Sequence, residues 1–164
     1  MQALQGFGNI KGILTVPGIA TVEYASLEEI NIPLSYQSLT DDTHAQQRPI
    51  VFLSGKSWRT MPVFFDKNAF QRNQGRSDQG ILHSFSLSGV IPAHNEGIMS
   101  ELDRLPHHRL IVRILDISGV QHILGTVRNP LSFTSNSILN SQQRQHVITI
   151  TGTSTRIPPY LVVA

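Results

Sequence analysis

The stretch that most restricts the fold is "ILHSFSLSGVI", residues 81–91. Apolar and hydroxyl residues alternate along it. His83, Phe85 and Leu87 fall on one side, and Ser84, Ser86 and Ser88 on the other. A period of two belongs to an extended strand with one buried and one wetted face. One side of a sheet is therefore committed to a core and the other to hydroxyls. The serines also raise the question of chemistry. A nucleophile elbow needs Gly-x-Ser-x-Gly at a sharp strand-to-helix turn, and no glycine stands two residues before any of them. They read as the wet side of a half-buried sheet.

The rest of the second half extends this pattern. In "HNEGIMSELDRLP" Asn95 is placed to cap a helix, and Glu96 sits in its first turn. Ile98, Leu102 and Leu105 share one helical stripe, and Pro106 ends it. "HRLIVRILDISGVQHILGTV" predicts a hairpin about Ser118-Gly119. "PLSFTS" and "HVITITGTST" are further strands, the second setting Ile148 and Ile150 against Thr149 and Thr151. The tail "RIPPYLVVA" is apolar, and Pro158-Pro159 keeps it out of a central strand.

The first half is less regular. "GILTVPGIATVEY" predicts two short strands about Pro17-Gly18. Ser26, with Glu29 three residues on, has the capping-box pattern of a short helical turn. "IVFLSGKSWRTMPVFF" gives two apolar strand-like runs about Ser54-Gly55. Residues 40–49 are polar and loop-like, and 66–80 form the most loop-like segment of the chain. With one helix among many strands, the expectation is a mainly β fold of the β-rich α+β kind. It is an antiparallel β-sandwich or barrel with one short flanking α-helix. The 164 residues fit a single domain, with 1–60 including an irregular N-terminal arm.

Composition narrows the function. There is no cysteine, which excludes disulfide frameworks and cysteine-based zinc sites. A net charge of +2 without a basic run is not a nucleic-acid footprint. Charged residues make up only 15%, which leaves more surface open to partners. No run approaches a membrane helix, and the start lacks a signal-peptide pattern, so the expectation is a protein made and kept in a cytoplasm. His107-His108 is poor metal spacing on an extended chain, and no His-x-x-x-His occurs. Asp42 and His44 could chelate a cation from a loop, but scattered surface histidines explain them more cheaply. The carboxylates Asp41-Asp42, Glu28-Glu29, Glu101 and Asp103 form no pair held across a cleft. "SGKS", 54–57, lacks the earlier glycine of a phosphate loop, since Ile50 stands there. No cofactor, metal or catalytic set is expected.

From about residue 80 onward the chain resembles a family of phage and prophage tail-structure proteins. Three linked pieces carry the resemblance: "HSFSLSGVIPAHN", "LDRLPHHRLIVRILDISGVQHILGTVRNPLSFT" and "QHVITITGTSTRIPPYL". The first 60 residues contribute nothing to it. The resemblance implies a virion component near the tail, assembled in the host cytoplasm. It implies a β-sandwich or barrel with a flanking helix that forms rings, and it carries over no catalytic residue. Expected partners are copies of the chain in a ring and other tail or connector proteins, with no membrane. Nucleic acid enters only as cargo passing through a channel.

The residues agree with that reading on their own terms. A Ser/Thr-rich sheet face lines water or meets a neighbour through modest hydrogen bonds, and a ring repeats each small gain. Arg72, Arg76, Pro158, Pro159 and Tyr160 are the expected subunit contacts. The rival reading is a monomeric β-barrel binding single-stranded nucleic acid or a small ligand. It would use Trp58, Arg59, Arg72 and Arg76 as a stacking and cationic platform. An enzyme assembled from distant residues ranks third; a buried carboxylate–histidine pair would be its mark.

Overall fold

The computed structural model describes residues 18–31, 50–63, 70–78, 80–92, 96–125, 129–140, 144–154 and 160–162. The strands are β1 (Ile19–Ser26), β2 (Ile30–Asn31), β3 (Val51–Phe52), β4 (Arg59–Thr60), β5 (Phe70–Ser77) and β6 (Gly80–Ile91), then β7 (Leu110–Asp116), β8 (Val120–Leu124), β9 (Ser132–Leu139), β10 (Arg144–Ser154) and β11 (Tyr160–Val162). The helix α1 (Glu96–Arg104) separates β6 from β7. All strand pairings are antiparallel. They make a five-stranded sheet in the order β11-β8-β7-β1-β4, a four-stranded sheet β5-β6-β10-β9, and a β2-β3 ribbon. The expected class, mainly β with one short helix, is the observed one.

The two larger sheets share one core. β6 contributes Leu87 and β10 contributes Ile148 and Ile150, while Val22 and Val112 come from the five-stranded sheet. The alternation read from β6 is obeyed from His83 onward, while Ile81 and Leu82 are both exposed. His83, Phe85, Leu87, Gly89 and Ile91 are buried, and the serines between them are not. α1 adds Leu102 and the short 3-10 turn after it adds Leu105, with Ile98 packed alongside. β7 is buried on both faces because the five-stranded sheet is covered on both. Its far side meets a second cluster of Ala25, Leu27, Ile30, Ile111 and Ile123, roofed by Phe52 and Trp58.

Three expectations need correction or refinement. Residues 66–80 are not simply a loop: 70–77 form β5, paired with β6 along its full length from Phe70↔Leu87 to Ser77↔Gly80. The two strand-like runs about Ser54-Gly55 do hold strands, but only two-residue ones, and they join different sheets, β3 to β2 and β4 to β1. Ser26 does cap a turn, the 3-10 helix Leu27–Glu29, but its hydroxyl accepts from the Glu28 N–H at 3.4 Å. Glu29 does not reach back as a capping box would, because its carboxylate is held elsewhere.

The β7–β8 hairpin turns through Ile117–Gly119, one residue longer than the Ser-Gly pair alone. Gly119 has φ of +87°, where a Cβ is disfavoured. Gly152 in β10 serves packing instead. A Cβ built there would collide with the Leu131 side chain. The Pro17-Gly18 turn is described only from Gly18, and Asn95 lies outside the described residues.

Candidate subunit interface

Side chains on the far face of the four-stranded sheet follow from its registers. Gln71, Ser86, Thr151 and Ser132 form one row across all four strands. Ser88, Thr149 and Thr134 form the next, and Asn73, Ser84 and Thr153 flank the first on its other side. The row beyond carries Val90, Val147 and Asn136. Not one residue on this face is charged. Among the strand residues whose side chains are described, the charged ones are Arg72 and Arg76, and their parity puts both on the opposite face. The Thr134 hydroxyl donates to the Thr149 carbonyl at 3.3 Å, so part of the wall is bonded along its own ladder.

The edges of this sheet are β5 and β9 among the described residues. An open edge presents unpaired N–H and C=O groups, and monomers blunt it with charge, proline, bulges or short length. β9 uses none of these devices. It runs for eight residues, "SFTSNSIL", without charge or proline, and ends in a fully presented Leu139 at 70% exposure. β5 carries two arginines and is exposed beyond Phe70. Strand directions alternate across the four, so β5 and β9 run oppositely. The β5 of a second copy, brought beside β9 by simple rotation about a ring axis, therefore meets it antiparallel.

The expected contact residues do not gather in one place. Arg72 and Arg76 lie on the edge strand of the four-stranded sheet, opposite Phe85 and Ile81. Tyr160 opens β11 at the edge of the five-stranded sheet, paired with His122. Pro158 and Pro159 lie outside the described residues. The stacking platform of the rival reading is also divided. The Trp58 ring meets Phe52 edge-on at 5.4 Å, and the Arg113 guanidinium lies over it at 4.8 Å. Arg59 makes a two-pronged pair with Glu29, both bonds 2.6 Å. Trp58 and Arg59 are thus engaged within the chain, and Arg72 and Arg76 belong to another sheet.

Among the described residues three contacts join serines, histidines and acids, and the one that includes an acid does not have the order that activates a hydroxyl. In the β7–β8 turn the Asp116 carboxylate accepts from the Ser118 hydroxyl at 2.6 Å and the Val120 N–H at 2.9 Å, with His122 Nε2 at 3.3 Å. A nucleophile needs the imidazole between serine and acid; here the acid is central, and its bonds close a turn. Burial pushes this carboxyl up, but the three hydrogen bonds outweigh it and leave it below its ordinary value. Ser26 and His108 approach only to 3.5 Å. Ser137 and His146 are 2.7 Å apart as directly opposed residues of β9 and β10, with the imidazole wholly buried. His83 is also buried, and its Nδ1 has no hydrogen-bond partner among the described residues.

A charged cluster that sequence alone did not reveal holds the roof of the five-stranded sheet. Glu29 takes Arg59 and, at 3.5 Å, Lys56. Arg113 Nε donates to Glu23 across β1 and β7 at 2.6 Å. Tyr24 donates to Glu101 of α1 at 2.6 Å, tying helix to sheet. Burial, and then the Glu101 hydrogen bond, push the Tyr24 hydroxyl far up, so it remains a donor. The Arg59 hydrogen bonds hold Glu29 down to about 2 from its ordinary 4.5. A depressed carboxylate stabilises the fold above its unfolded value and loses that contribution as pH falls through the folded one. Stability should therefore fall between about pH 4.5 and 2, and Glu29→Gln should flatten this part of the curve while lowering stability at pH 7. Urea unfolding at stepped pH measures both.

Among the described residues no group of three or more His, Asp or Glu side chains is placed to hold a metal ion, and no helix is long and apolar enough to cross a membrane. His107 and His108 are exposed, whereas Asp41, Asp42 and His44 lie outside the described residues. Comparisons with protein-family models, with curated proteins and with solved structures returned no match.

Proposed function

We propose that this chain is a non-enzymatic structural subunit that assembles through its sheet edges into rings or tubes, as part of a phage tail or tail-like particle. One observation carries the assembly reading. The four-stranded sheet joins an uncharged face rich in hydroxyls and amides to two edges of opposite direction, both open among the described residues. Copies related by rotation can then continue one antiparallel sheet until it closes. Closure removes the edges altogether, which is the fullest remedy for an aggregation-prone strand such as β9. The five-stranded sheet and α1 cover the other face, and in this reading their bulk lies outside the ring while the Ser/Thr wall lines its lumen. Such a lumen is wet and carries no fixed cation on the wall, so a passing polyanion meets no sticking point.

The tail assignment itself rests on the resemblance of the second half to tail-structure proteins. Under it the partners are copies of this chain and neighbouring tail or connector proteins. The joint is heterologous, because one edge meets a different edge, and such joints give rings when the rotation closes. Size-exclusion chromatography with light scattering tests the reading. Discrete high-order species at rising concentration support it; a monomer at every concentration, with no binding to tail proteins encoded beside it, overturns it.

A further inference from the structure

The face of β5 that does not line the wall carries Arg72 and Arg76, four residues apart on one side of a strand. At the usual strand rise their Cα atoms are about 13 Å apart. Both are exposed, and neither has an acidic partner among the described residues. At the other end of the same sheet, β9 meets the turn that directly follows α1. The 3-10 turn that follows the helix, Leu105–His107, packs against β9, and Leu110 and Leu131 exchange backbone hydrogen bonds of 3.2 and 2.9 Å. The buried stripe of α1 ends at Leu102, and Glu96 and Asp103 lie on its exposed side. Seven residues apart, they share one helical face about 10.5 Å apart along the axis. Neither has a cationic partner among the described residues.

We infer that Arg72 and Arg76 of one copy pair with Glu96 and Asp103 on α1 of the next. The inference rests on the ring reading and names the contacts that lock its joint. When β5 of the next copy lies beside β9, its arginines emerge on the sandwich side of the sheet, the side on which α1 packs. The two charge pairs have opposite sign and similar spacing, and a guanidinium on its long stem spans the difference. Arginine suits this task because its planar fork takes a carboxylate by two hydrogen bonds. The edge ladder between β9 and β5 supplies association with little choice of register, since neither strand offers apolar alternation at the joint. The paired charges fix that register and keep copies from joining by two β9 edges, where the acidic helix faces would approach one another.

Charge reversal and charge exchange on the full chain test this. Arg72→Glu with Arg76→Glu places like charges at each joint, and should raise the concentration at which half the protein is assembled by about tenfold or more. Adding Glu96→Lys and Asp103→Lys to the same chain restores opposite charges at every joint and should return assembly to within about threefold of the unmodified protein. All four sites are exposed, and an unchanged thermal transition of the dissociated chain verifies that each variant folds. Raising salt from low to high ionic strength should weaken the unmodified assembly in the same direction. Reversal without effect, or a loss that the exchange does not recover, overturns the pairing while rings of the unmodified protein leave the assembly reading standing. An unmodified protein that never assembles overturns both.

Discussion

Placing lysine at two adjacent positions of β9, Ser135→Lys with Asn136→Lys, should abolish assembly and leave a folded monomer. Both residues are exposed in the isolated chain, and neither makes a contact on which the core depends. Their substitution thus costs the monomer little, within about 0.5 kcal/mol for surface sites. In the joint the two lysines are held against another strand's backbone, one on each side of the sheet. Inward or edge lysines are the device by which natural sheets refuse a further strand. The expected result is a shift of the assembly midpoint beyond the reachable concentration range, measured by light scattering, with the far-ultraviolet spectrum unchanged. Assembly at the original midpoint would mean that copies meet elsewhere.

The second large effect concerns the core that sets the sheet's two faces apart. Ile148 has no exposed surface and stands in β10 between Gly89 and Ser135, directed at the opposing sheet. Ile148→Ala removes three heavy-atom groups from a packed interior and leaves a cavity, a change that costs about 2–5 kcal/mol. For a chain of this length each kcal/mol lowers the melting temperature by about 2–4 °C, so a fall on the order of 10 °C is expected. Its neighbour Thr149 looks outward, and Thr149→Ala should move the transition by no more than about a degree or two. The contrast between adjacent residues is the check. Equal effects would mean that the wall, too, is buried within the isolated chain.

How much of this was legible in the sequence depends on whether a segment has two unlike faces. β6 and β10 alternate apolar and hydroxyl residues, so strand, register parity and the wet wall could all be read from them. α1 declared itself by Ile98, Leu102 and Leu105. β5 was hidden because "FQRNQGRS" is polar on both sides: beyond Phe70 it buries nothing, and only its backbone ladder with β6 makes it a strand. β3 and β4 proved much shorter than the apolar runs that announced them. Phe52 of β3, and Trp58 just before β4, roof the outside of the five-stranded sheet as single packed side chains. The ion pairs were illegible because Glu29–Arg59 and Glu23–Arg113 join residues 30 and 90 apart, and nothing local marks them.

The candidate interface was legible in part. The hydroxyl face followed from alternation, and Arg72 and Arg76 were singled out, though within a segment that reads as a loop. That they stand on an edge strand, on the side away from the wall, follows only from the pairing with β6. The absence of charge from the whole outer face likewise needs the strand order, because it is assembled from four segments scattered between residues 70 and 154.

The chain has no cysteine of its own, so two introduced thiols report on the joint directly. Gln74→Cys on β5 together with Ser135→Cys on β9, treated with a short bis-maleimide and run on a denaturing gel, measures which edge meets which. Pairing of β5 with β9 predicts a ladder of products from the double variant that stops at the ring size, while each single variant stays at one chain. Dimers from Ser135→Cys alone, or a double variant that remains uncrosslinked at concentrations where the protein is assembled, would contradict it.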